Sequence, residues 1–123
     1  MRILSSARFY LTGDLSLEDN SYIGEHTVIC GGGAKITIER NAAVGPRCTL
    51  VTGTHHFDHD RQLAAGSCLS KPITIGVNSW IGASATILGG VSIGKSVTVG
   101  AGSLVNKSVP DFSRIGGVPA KPL

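Results

Sequence analysis

The sequence predicts an all-β chain wound into stacked triangular coils, and three observations predict it. Aliphatic residues recur every six positions, small or β-branched residues precede them by two, and glycine usually follows them. Cut into sixes, the second half reads PITIGV, NSWIGA, SATILG, GVSIGK, SVTVGA, GSLVNK. The fourth place is always aliphatic: Ile75, Ile81, Ile87, Ile93, Val99 and Val105. Two residues earlier stand Ile73, Ser79, Ala85, Val91, Val97 and Ser103. Gly76, Gly82, Gly94 and Gly100 fill the place after the aliphatic.

A period of six suits neither an α-helix, which repeats at 3.6, nor a plain strand, which repeats at 2. It suits a short strand followed by a bend. The aliphatic residue and the one two before it then point to the same side, and the glycine is expected to lend the corner its backbone freedom. Three such sides close one coil of about eighteen residues, and stacked coils place like residues over like. The small second ladder fits the narrow interior of a triangular prism.

The first half keeps the phase. Leu11, Leu17, Ile23 and Ile29 step by six; Gly31-Gly32-Gly33-Ala34 marks an insertion; Ile38, Val44 and Leu50 resume. A second gap runs from Leu50 to Ile75. The resulting ladder of thirteen aliphatic sites predicts about four to five coils in one domain, 1–123, with an extended loop over 53–71.

Composition agrees with this architecture. Aromatic residues make up 5% and charged residues 15%, so a compact Phe- and Leu-built core is not expected; 41% apolar content excludes a disordered chain. A net charge of +3 is too small to point to nucleic acid. No segment approaches the ~20 apolar residues of a membrane span, and the start MRILSSARFYLTGD lacks the long apolar stretch of a secretory signal. Cys30, Cys48 and Cys68 are odd in number and form no CxxC pair, which favours free thiols in a reducing cytoplasm.

The run ITIGVNSWIGASATILGGVSIGKSVTVGAGSLVNKSVP, with the ending GGVPAKP, resembles the hexapeptide-repeat acyltransferases. It is most similar to the branch of galactoside, maltose, nodulation-factor and xenobiotic O-acetyltransferases. The likeness covers roughly Leu17 to Pro122. It implies a left-handed parallel β-helix, a handedness that periodicity alone does not supply. It also implies a homotrimer with sites between subunits, acetyl-CoA as co-substrate, and direct acetyl transfer to a hydroxyl of a sugar or similar small acceptor. A purely structural β-helical interaction module would explain the ladder equally well, but not the loop, the single Trp or the tail.

The gap holds the stretch TGTHHFDHD, with three of the four histidines. His55, His56, His59, Asp58 and Asp60 are suitable metal-ligand types. A metal-dependent lyase of the carbonic anhydrase kind is less favoured, because HHxxH lacks helical ligand spacing and no cysteine pair assists. In the acetyltransferases a general base stands where the loop leaves the coil, often as Thr-Gly-Ser-His. Thr52-Gly-Thr-His55 matches that form, and counting from the coil selects His55 as catalytic. Counting back from Trp80 selects His56, but loop lengths vary, so the coil-side count is preferred. His59 reads as solvated.

Acyl transfer to a hydroxyl needs a base, donors aimed at the developing oxyanion, and both substrates held together. Imidazole is the side chain whose ordinary pKa, near ~6.5, suits the first task. By resemblance, Trp80 packs against the pantetheine end of coenzyme A and the Ala83 amide meets the reacting carbonyl. Ala101 contacts pantetheine, Asn106 and Lys107 lie near the distal nucleotide, and Lys121 meets phosphates. None of the cysteines has a basic neighbour that suggests an activated thiolate. Relatives often continue beyond the Pro-Ala-Lys ending, so weaker nucleotide affinity is expected. Tyr22-Ile-Gly-Glu-His26 matches the acceptor-binding coil poorly, so Glu25 and His26 are the only acceptor candidates there, and the sequence does not name the acceptor.

Overall fold

The computed structural model describes residues 1–123. It contains eighteen short strands, numbered β1 to β18 along the chain, and no helix. The chain winds as a left-handed parallel β-helix with three flat faces. The first face stacks β1 (Arg2–Ile3), β4 (Tyr22–Ile23), β7 (Ala43–Val44), β12 (Trp80–Ile81), β15 (Thr98–Val99) and β17 (Arg114–Gly116), with β18 (Lys121–Pro122) antiparallel at the end. The second stacks β2 (Arg8–Tyr10), β5 (Val28–Cys30), β8 (Thr49–Val51), β13 (Thr86–Leu88) and β16 (Leu104–Val105). The third stacks β3 (Leu15–Leu17), β6 (Ile36–Ile38), β11 (Ile73–Ile75) and β14 (Ser92–Ile93). The remaining pair, β9 (Gly53–His55) and β10 (Cys68–Ser70), lies outside the prism.

The ladder is the core. Ile29, Leu50 and Ile87 pair in register on the second face, and Ile38 and Ile75 on the third. All five are fully buried. Each such side chain contributes about 1.5–3 kcal/mol relative to exposure. The second ladder is also inward, and its polar members tie coil to coil. Thr27 Oγ1 donates to the Gly45 carbonyl at 2.7 Å and accepts from Cys48 N–H at 3.2 Å. Ser79 Oγ donates to Gly94 O at 2.6 Å and accepts from Val97 N–H at 2.9 Å. The Cys48 thiol donates to Gly82 O at 3.2 Å. The next coil thus supplies partners for Thr27, Ser79 and Cys48, whereas the buried Ser21 Oγ and Thr52 Oγ1 have none.

Two expectations are corrected. Leu11 is not a rung: Phe9 occupies the place beneath Ile29, in register with it, and Leu11 lies past the end of β2. The ladder also continues at both ends in Ile3 beneath Ile23, in Val109 bridged to Ile93, and in Ile115 beside Val99. The second correction concerns the glycines after the rungs. Their φ values are not positive; the left-handed residues sit two places further on, at Asn20, His26, Asn41, Arg47, Asn78, Ser84 and Ser96. The glycines are required instead by close stacking. A Cβ at Gly82 would lie 2.7 Å from the Val99 carbonyl oxygen, and one at Gly45 would lie 2.8 Å from that of Ile81.

Extra residues gather on one edge, between the second and third faces. Phe9 to Leu17, Ile29 to Ile38 and Leu50 to Ile75 all cross that edge with more than six residues, so the triple-glycine corner lies directly beneath the long loop.

Candidate active site

The long loop leaves the prism after β8 as an ordered antiparallel hairpin. In it β9 and β10 pair with His55 opposite Cys68 and Gly53 opposite Ser70. The arms are closed further out by bonds between His56 and Ser67, His56 and Gly66, and Asp58 and Leu63. Strand alternation separates the two adjacent histidines. His55 lines a cleft of about 420 Å³ between the hairpin and the Gly31–Gly33 corner. His56 and His59 line a separate outer concavity of about 890 Å³ with Asp58, Asp60 and Arg61.

The His55 ring is oriented by the chain itself. Its Nδ1 lies 3.1 Å from the Gly66 carbonyl oxygen. A carbonyl only accepts, so this bond places the proton on Nδ1 and leaves the Nε2 lone pair free. The Cys68 sulfur lies 3.7 Å from the same Nδ1. The sequence reading gives Cys68 no imidazole neighbour. The hairpin register makes the pairing, and no periodicity in the sequence encodes it. Cys48, by contrast, is buried, and that burial pushes its thiol pKa up.

Trp80, Ala83 and Ala101 come together, but on a different edge. Trp80 stands on the first face, 57% exposed. Ala83 and Ala101 turn the edge between the first and second faces in consecutive coils, with Gly102 N–H donating to Ala83 O at 2.8 Å. The N–H groups of Ala83 and Ala101 donate to nothing within the chain. Their edge therefore presents two stacked, unspent donors beside an exposed indole. Glu25 lies two coils below on this same edge, where its carbonyl accepts from Arg47 N–H and the Pro46 carbonyl accepts from Ser84 N–H.

The basic candidates sit at the last coil. Asn106 and Lys107 border a cleft of about 330 Å³ that is also lined by Arg114, Ala120 and Pro122, the last two flanking Lys121. Arg114 is a cation that the sequence reading passed over; it pairs with Thr98 just before the Ile115 rung, and the ladder counted in the sequence ended at Val105, so no signal pointed to it. Nowhere do three or more His, Cys, Asp or Glu side chains converge as a metal-ligating group.

A prism of hexapeptide coils interrupted by one hairpin is also found among known proteins. Residues 72–107 match the family described as the hexapeptide repeat of succinyl-transferase. The galactoside O-acetyltransferase of Escherichia coli is 40% identical over 86 residues, covering 70% of this chain and 42% of that protein. Nodulation protein L of Rhizobium meliloti is 39% identical over 108 residues, covering 88% and 58%. The crystal structure of a hexapeptide-repeat-containing acetyltransferase from Vibrio cholerae superposes with a TM-score of 0.82 at 30% identity, covering 100% of this chain and 71% of that one. The chain belongs to the hexapeptide-repeat acetyltransferase family. It spans about half the length of the curated relatives it matches.

Proposed function

We propose that the protein is an acetyl-CoA-dependent O-acetyltransferase that uses His55 as general base on the hydroxyl of a sugar or similar small acceptor. The observation that carries this reading is the His55 ring held through Nδ1 by the Gly66 carbonyl beside an open cleft. In that orientation Nε2 takes the acceptor proton as the oxygen attacks the thioester carbonyl. The tetrahedral intermediate then collapses, the carbon–sulfur bond breaks, and the proton passes to the departing coenzyme A sulfur. The unspent Ala83 N–H is a suitable oxyanion donor, with Trp80 and Ala101 beside it for pantetheine. Asn106, Lys107 and Lys121, at the last coil, would meet the nucleotide end.

His55 and the Trp80–Ala83–Ala101 edge occupy different edges of one prism. A homotrimer with threefold closure brings the histidine edge of one copy beside the donor edge of the next, and this geometry is the reason we favour a site shared between subunits. The three unpaired cysteines support a cytoplasmic setting.

Acetyl-CoA turnover against a panel of hydroxyl acceptors tests the reading. His55→Ala should lower kcat by roughly 10²–10⁴-fold, while His56→Ala retains most activity. Full activity in His55→Ala would remove the base assignment. Calorimetry showing no binding at millimolar coenzyme A would favour a non-catalytic module.

A further inference from the structure

We propose that the Gly31–Gly33 corner is the acceptor-selecting wall of the site, and that it selects an uncharged alcohol carried on an apolar body. This inference rests on the acetyltransferase reading above and deepens it. The corner forms the floor of the cleft beside His55. No Asp, Glu, Lys or Arg lines that cleft. A phosphate or carboxylate entering it would lose its water without gaining a cation. Side-chain hydrogen-bonding capacity is also sparse. The Ser70 hydroxyl oxygen accepts the Ala34 N–H at 3.1 Å, which leaves its O–H to donate. Thr54 is the other hydroxyl, while Val51 and Leu69 supply apolar surface. A free sugar with hydroxyls on every side would leave most of them unpaired there.

The three glycines have different reasons for being glycine. Gly31 has φ 138°, and a Cβ there would meet Thr52 Oγ1 and, at 2.7 Å, Gly53 N. A Cβ at Gly32 would lie 3.0 Å from Ser70 Cβ. Gly33 has neither a positive φ nor any atom within 4 Å of an added Cβ, and it is alone among the glycines in that. Nothing in the packing of the coil asks for glycine at 33. A side chain at that position would instead occupy the room beside the base.

The test is steady-state kinetics with acetyl-CoA and three acceptors that share one sugar: p-nitrophenyl β-D-galactoside, free galactose and galactose 6-phosphate. The wild type should prefer the aryl glycoside over galactose by at least ten-fold in kcat/KM, with the 6-phosphate poorest. Gly33→Leu should raise the KM for the aryl glycoside at least ten-fold, with the KM for acetyl-CoA and the thermal midpoint unchanged. Gly33→Ala, which adds a single methyl, should fold as wild type and raise the acceptor KM by a smaller factor. Preference for galactose 6-phosphate, or an unchanged acceptor KM in Gly33→Leu, would overturn the inference while leaving the acetyltransferase reading intact. Absence of acetyl-CoA turnover with all three acceptors, indistinguishable from His55→Ala, would overturn that reading and the inference with it.

Discussion

Replacing Gly82 by alanine tests why glycine follows the rungs. The φ of Gly82 is not positive, so alanine fits its backbone, and through the unfolded chain alone the change should stabilise by about 0.4–1 kcal/mol. The structure predicts the opposite sign. The new Cβ would sit 2.7 Å from Val99 O and 2.8 Å from Ala101 N, and both are backbone atoms that cannot rotate away. Two coils would have to separate locally, with Gly82 N–H drawn from Val99 O, now at 2.8 Å. Overpacking of this kind costs about 1–3 kcal/mol, so the net loss should be about 1–2 kcal/mol. Urea unfolding followed by far-UV circular dichroism at one protein concentration measures it, with Gly33→Ala as the unhindered control. A Gly82→Ala protein as stable as wild type would refute the close-stacking explanation. Asn78→Ala adds a contrast: at φ 60° the loss of asparagine should cost about 1 kcal/mol, while Asn78→Gly should be nearly neutral.

Other outcomes follow from the same geometry. Ile87, fully buried between Leu50 and Val105, should cost about 2–5 kcal/mol as Ile87→Ala and about 0.5–1.5 as Ile87→Val, read from urea midpoints. Trp80 is 57% exposed, so Trp80→Ala should leave the thermal midpoint within a few degrees. It should raise the KM for acetyl-CoA roughly three- to ten-fold, the loss of one aromatic contact. The raised thiol pKa of Cys48 carries a definite sign. Above about pH 8.5 the unfolded thiol ionises while the folded one stays protonated, so stability falls as pH rises, by at most ~1.4 kcal/mol per unit. Urea midpoints between pH 7.5 and 10 should therefore fall more steeply for wild type than for Cys48→Ala.

Much of the architecture was legible because the fold is periodic. Each rung from Leu17 to Val105 could be placed by counting, and the inward small ladder came with it. Counting failed where the step changed. Phe9 lies eight residues before Leu17, so a strict six put Leu11 in its place, and Val109 follows Val105 by four. The role of glycine was misread for a different reason. A sequence shows that a side chain is absent but not whether a torsion or a neighbour forbids it, and here the Val99 and Ile81 carbonyls are the neighbours. The candidate site was legible only where it touched the coil. His55 was singled out by the family resemblance together with its distance to Leu50, whereas its neighbours Gly66 and Cys68 are set by hairpin register, which has no period to count.

The gathering of extra residues on one edge separates two design problems. On a face, chain length is quantised, because adding a single residue would turn a strand's inward side chains outward and break register with both neighbouring coils. At that edge length is free: eight, nine or twenty-five residues carry the chain from rung to rung, and the faces above and below still meet in register. The hairpin with His55 can thus be lengthened, shortened or rewritten without altering a single core contact, and a substitution in it changes chemistry while the prism stays as it was.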